Sequence, residues 1–83
     1  MFSIEIRRTA PFDFIASYEA GTSLLAVLEE AGSAVRNLKS VEAVLVRRSL
    51  DDMLVADLRM GADGNISICA TDFGRPLVEA ACD

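Results

Sequence analysis

The sequence predicts an α+β domain, a mostly antiparallel sheet of four to five strands with one main helix, in the order β-β-α-β-β-β. Three observations predict it. Apolar and polar residues alternate with period two at residues 2–8 and again at 66–71. One stretch, residues 23–37, carries its apolar residues at three- and four-residue spacings instead. A glycine-rich pentapeptide, Gly61-Ala62-Asp63-Gly64-Asn65, separates two strand-like runs, as a hairpin requires. The chain has 83 residues, which suits one domain over 1–83 with a single core. A lone helix laid on a sheet is the α+β solution for burying both apolar faces.

The first strand is read from Phe2, Ile4 and Ile6, which alternate with Ser3, Glu5 and Arg7. Thr9-Ala10-Pro11 punctuates it. Phe12, Phe14, Ala16 and Tyr18 then alternate with Asp13, Ile15, Ser17 and Glu19, and residues 12–19 read as a second strand in a hairpin with the first. The competing reading is a short helix with Pro11 in its first turn and Gly21 past its end.

In the stretch YEAGTSLLAVLEEAG, Gly21 turns the backbone and Thr22 or Ser23 caps a helix by accepting an orphan N–H. Leu24, Leu28, Ala31, Val35 and Leu38 form its apolar stripe, widened by Leu25, Val27 and Ala34. The stripe stays in phase past Gly32, so the helix runs from 23 to about 37 despite a glycine cost of about 1 kcal/mol. The core is expected where this stripe faces Ile4, Ile6, Ile66 and Ile68.

Residues 41–50, VEAVLVRRSL, are β-branched and short. Val44, Leu45 and Val46 are consecutive, which predicts a central strand with both faces buried. Ser49–Asp52 is turn-like, and Met53–Met60 reads as the next strand. After the pentapeptide, Ile66, Ile68 and Ala70 alternate with Ser67, Cys69 and Thr71. Pro76 is placed to start one or two helical turns over 75–82, with Leu77 and Val78 lying across the sheet face away from the main helix.

The composition excludes more chemistry than it suggests. No histidine is present, so the commonest general base, metal ligand and pH switch are missing together. Cys69 and Cys82 lie 13 residues apart without neighbouring ligand candidates, and no zinc or iron–sulfur spacing is present. Phosphate-binding and nucleophile-elbow glycine motifs are absent. Asp51-Asp52 is read as a solvated turn, Asp63-Gly64-Asn65 as turn chemistry rather than a calcium loop, and Cys69 as a small buried or half-buried hydrophobe. Arg7, Arg8, Arg47 and Arg48 would form a basic patch if their strands are neighbours, although solvated strand ends are the commoner role. The expectation is a protein that is not an enzyme and holds no cofactor or metal.

Net charge is −5, which disfavours nucleic acid and anionic membrane as partners. No apolar run is long enough to span a bilayer, the first residues lack the pattern of a secretory signal, and two cysteines make no disulfide framework. The cytoplasm is therefore the expected compartment.

The passage from Tyr18 to Gly32 resembles the strand-to-helix passage of β-grasp proteins, which include plant-type [2Fe–2S] ferredoxins and ubiquitin-like sulfur carriers. Gly21, Thr22, Ser23, Leu24, Leu25, Leu28 and Gly32 carry the resemblance, over about 15 of the 83 residues. It implies a β-grasp-like scaffold. The ferredoxin cysteine cluster is missing from residues 33–48, and Ala81-Cys82-Asp83 stands where sulfur carriers have Gly-Gly, so neither family role carries over.

A binding role remains. At 52% hydrophobic, the chain is apolar for a domain that buries only about 60% of its surface. That favours a contact surface for another protein. The expected function is a small protein-binding protein acting by surface occlusion, such as an inhibitor, an immunity or anti-defence protein, or a regulatory subunit. The alternative is a structural module that forms homodimers. Ile15 and Val55 are expected on the sheet face away from the helix, rimmed by Asp13, Glu42 and Asp57 to suit a basic partner surface.

Overall fold

The computed structural model describes residues 1–9 and 15–82. In chain order the elements are β1 (Phe2–Arg8), β2 (Ile15–Gly21), α1 (Leu24–Asn37), β3 (Val41–Arg48), β4 (Met53–Met60), β5 (Ile66–Ala70) and α2 (Arg75–Cys82). The strands form a five-stranded sheet in the order β2-β1-β3-β4-β5, antiparallel at each junction. The α+β class, the antiparallel sheet and the order β-β-α-β-β-β agree with the sequence reading. Because β2 and β3 both run against β1, they are parallel to each other, and α1 is the crossover that parallel strands require.

Local chemistry sets the elements. Ser23 is extended at φ −87°, and its Oγ accepts the Ala26 N–H to cap α1. Leu38 ends the helix, extended at φ −92°, and donates its N–H to Ala34 O. Between β4 and β5, Gly61 N–H donates to Asn65 O, Asp63 Oδ1 accepts the Asn65 N–H, and Gly64 takes φ +84°. This is the turn that the pentapeptide predicts.

Both helices pack on the same side of the sheet. The core joins Leu24, Val27, Leu28, Ala31 and Val35 of α1 to Ile4, Val44, Val46, Val55, Ala56 and Leu58 of the central strands. Leu77, Val78 and Ala81 of α2 pack against that same cluster. The expectation that Leu77 and Val78 lie across the other face is therefore corrected: α2 lies beside α1 and over β4. The Thr71 hydroxyl directs it there, donating to Leu54 O at 2.6 Å and accepting the Gly74 N–H at 3.0 Å. Gly74 sits against β4 so closely that a Cβ would lie 1.9 Å from the Val55 carbonyl oxygen.

Three further core expectations are corrected. Leu38 is exposed, because it is the cap where the backbone leaves the helix. Ile68 is 47% exposed, because β5 is an edge strand to which α1 makes only slight contact. Leu25 is likewise exposed rather than part of the buried stripe. Of the strand read over 12–19, residues 15–19 are strand and the strand runs on to Gly21, while residues 12–14 lie outside the described ones.

Candidate protein-binding surface

The face of the sheet opposite the helices has no described element across it. Its composition follows from register. Ile4 and Ile6 pair with Val46 and Val44 on the core side, so Ser3, Glu5 and Arg7 project the other way beside Arg47, Leu45 and Ala43. Leu45 is paired with Asp57 on β4, and Asp57 with Cys69 on β5. Glu5, Arg7, Arg47, Asp57 and Arg59 on this face are paired to one another. Glu5 accepts from Arg7 at 2.7 Å and lies 3.6 Å from Arg47. Asp57 accepts from Arg59 at 3.1 Å. Leu45 and Ala43 between them are buried, as both-faced burial of β3 predicts.

The predicted surface residues fare unequally. Ile15 opens β2 opposite Arg7 and is 64% exposed. Glu42 is exposed, at the register shift where β3 passes from Ala43 to Val41 along β1. Asp57 lies on the open face, but its carboxylate is already held by Arg59. Asp13 lies outside the described residues. Val55 is a correction: it is fully buried and belongs to the core. The cause is a bulge. Val46 pairs with Ala56 but Arg47 pairs with Leu54, so Val55 is the extra residue and the alternation of β4 slips by one.

The arginines do not gather into one basic patch. Arg7 and Arg47 share Glu5, whereas Arg48 binds Asp51 and stacks over the Phe73 ring at 4.6 Å. Arg8 donates to the Lys39 carbonyl. The Arg48 guanidinium holds the Asp51 carboxyl below the ordinary carboxylate range. Asp63 is held low as well, by the N–H and amide of Asn65. Burial, and then the bond to the Glu30 carboxylate at 3.0 Å, raise the Tyr18 phenol. Cys69, expected to be at least half-buried, is exposed on the open face, since among the described residues no strand flanks β5 beyond it.

A second concave surface lies on the helix side. A groove of about 610 Å³ runs between α1, β5 and the end of α2. Leu25, Glu29, Arg36, Ile66, Ile68 and Cys82 line it. Sequence reasoning missed it, because Leu25 and Ile68 have core-like spacing, and only the order of the strands leaves them at a margin. Among the described residues, no three Cys, Asp or Glu side chains converge on a point that could hold a metal ion. No described helix is long and apolar enough to cross a membrane. Comparison with family models, with characterised proteins and with solved structures finds no match to this chain.

Proposed function

We propose that this chain is a small non-catalytic protein-binding protein that acts by covering a surface of its partner. The observation that carries this reading is the placement of both helices on one side, which leaves the opposite face of a five-stranded sheet without a described element across it. A flat face with alternating acidic and basic side chains suits recognition of a protein by complementary charge. The net charge of −5 favours a basic partner surface, with Glu42, an exposed carboxylate outside those ion pairs, and Ile15, an apolar side chain at the margin of this face, as contacts. Two free thiols fit a reducing compartment, the cytoplasm. The β-grasp reading concerns the scaffold and rests on the hairpin that feeds the capped helix.

Affinity capture from the source cells tests the proposal. Glu42→Arg combined with Asp57→Arg, and separately Ile15→Asp, should release a partner that the unchanged chain retains, with circular dichroism and melting temperature preserved. A partner held equally by all three proteins places binding elsewhere. The second reading, a homo-oligomerisation module, is favoured by one observation, the uncharged edge presented by β5.

A further inference from the structure

We propose that β5 pairs antiparallel with β5 of a second copy of this chain, about a two-fold axis at Ile68, so that two five-stranded sheets become one. This rests on the second reading above, homo-oligomerisation through the β5 edge, and edge pairing leaves the open face of the first reading free.

The hydrogen-bond pattern of the β4–β5 hairpin fixes which groups are available. Gly61 N–H donates to Asn65 O, and Thr71 N–H donates to Val55 O. Partners in an antiparallel ladder alternate between bonded and non-bonded pairs. With Arg59 opposite Ser67 and Asp57 opposite Cys69 in the register, Ser67 and Cys69 are therefore the residues bonded to β4. The N–H and C=O groups of Ile66, Ile68 and Ala70 point the other way, out of the sheet's edge.

Nothing in the sequence of β5 protects that edge. Natural edge strands are blunted by charge, proline or a bulge. Ile66–Ala70 has no charged residue and no proline, and its register with β4 is unbroken. The opposite edge differs. β2 has a register shift against β1, carries Glu19 and ends at Gly21 with φ +135°. β5 is the edge left able to pair.

Three features select a second copy as the occupant. The first is the symmetry of the strand. Ile-Ser-Ile-Cys-Ala alternates apolar and polar about Ile68, so it matches its own reverse position by position. Reversed on itself, Ile68 meets Ile68 and Ile66 meets Ala70, each exchanging the outward backbone bonds, while Ser67 meets Cys69 on the open face. A two-fold interface demands self-complementarity of this kind. The second is exposure: Ile68 at 47% and Leu25 at 45% line the groove beside this edge. The third is charge. Glu29 and Arg36 line the same groove two helical turns apart, and neither has an ion-pair partner among the described residues. A two-fold reverses α1, which sets the Glu29 end of one groove toward the Arg36 end of the other.

Light scattering after size exclusion, over a range of concentrations, should give twice the chain mass. Ile68→Pro removes an outward N–H that β4 does not use, and should give monomer at concentrations at least tenfold above the wild-type midpoint. Ser67→Cys in a Cys82→Ser background tests the register without weakening the strand. Residues opposed in a non-bonded pair have Cα atoms about 4.5 Å apart, within the range a disulfide spans. Mild oxidation should give a covalent dimer, and peptide mapping should find the thiol at 67 joined to Cys69 of the other copy. A wild-type chain that stays monomeric throughout overturns the proposal, even if it takes up a strand from a different protein. So does a dimer that forms no 67-to-69 link. If Ile68→Pro unfolds, the cross-link decides alone. The Glu42→Arg, Asp57→Arg protein should still dimerise, so failure of either reading can be told from failure of the other.

Discussion

At the residue scale, position and not residue type decides what a substitution does. Leu28 is buried among α1 and the central strands, so Leu28→Ala should lose about 2–5 kcal/mol in denaturant melts. Ile15 and Val55 are both β-branched aliphatics in strands, yet they should answer a charge oppositely. Val55→Asp places an unpaired carboxylate in the core and should abolish the cooperative unfolding transition. Ile15→Asp should shift stability by no more than about 0.5 kcal/mol, as surface changes do. Acid sensitivity also resolves to named residues. Asp51 and Asp63 have folded pKa values below the ordinary one, so each contributes stability above the unfolded value of about 3.9. That contribution is lost as pH falls through the folded values. Asp51→Asn and Asp63→Asn should each flatten the dependence of melting temperature on pH below about pH 4. An unchanged acid limb would show that these carboxylates titrate alike in both states.

At the element scale, the strands and the main helix were legible because each depends on local pattern. Ser23 and the four-and-three spacing of Leu24, Leu28, Ala31 and Val35 mark α1, and the consecutive Val44, Leu45 and Val46 mark a strand covered on both faces. The phase of β4 was not legible. The bulge at Val55 lies where the Thr71–Gly74 turn docks against the strand, and periodicity in Met53–Met60 does not contain that contact. The side taken by α2 was hidden for the same reason, and the exposure of Ile68 because it follows from strand order. The candidate surface divided likewise: the side taken by Ile15 and Asp57 follows from alternation, whereas Glu42 sits at a register shift and the groove beside β5 depends on strand order. Gly32 gives a test within α1. A methyl there would meet Ile66 Cδ1 at 3.6 Å, an ordinary contact, so the helix gain is free of a clash. Gly32→Ala should stabilise the chain by about 0.5–1 kcal/mol, read from the denaturation midpoint.

At the scale of the whole molecule, the order of strands governs how the chain can assemble. The β4–β5 hairpin closes locally, whereas β1 must wait for β3 across the whole of β2 and α1. Non-local pairing of this kind is slow, because loop closure comes before the contacts that reward it. Refolding followed by stopped-flow fluorescence of Tyr18 should take milliseconds or longer. A microsecond phase carrying the whole amplitude would mean that the central β1–β3 pair is not the late step.

The fit of Gly74 against the Val55 carbonyl also bears on ancestry. Any side chain at 74 needs the turn to lift from β4, and overpacking of this kind costs about 1–3 kcal/mol even where the neighbours can yield. Surface residues such as Glu42 are free to drift with the choice of partner. Chains that descend from a common parent and keep this carboxy-terminal helix should therefore share a glycine at the position of Gly74 and a threonine or serine three residues before it, long after the rest of their sequences have diverged.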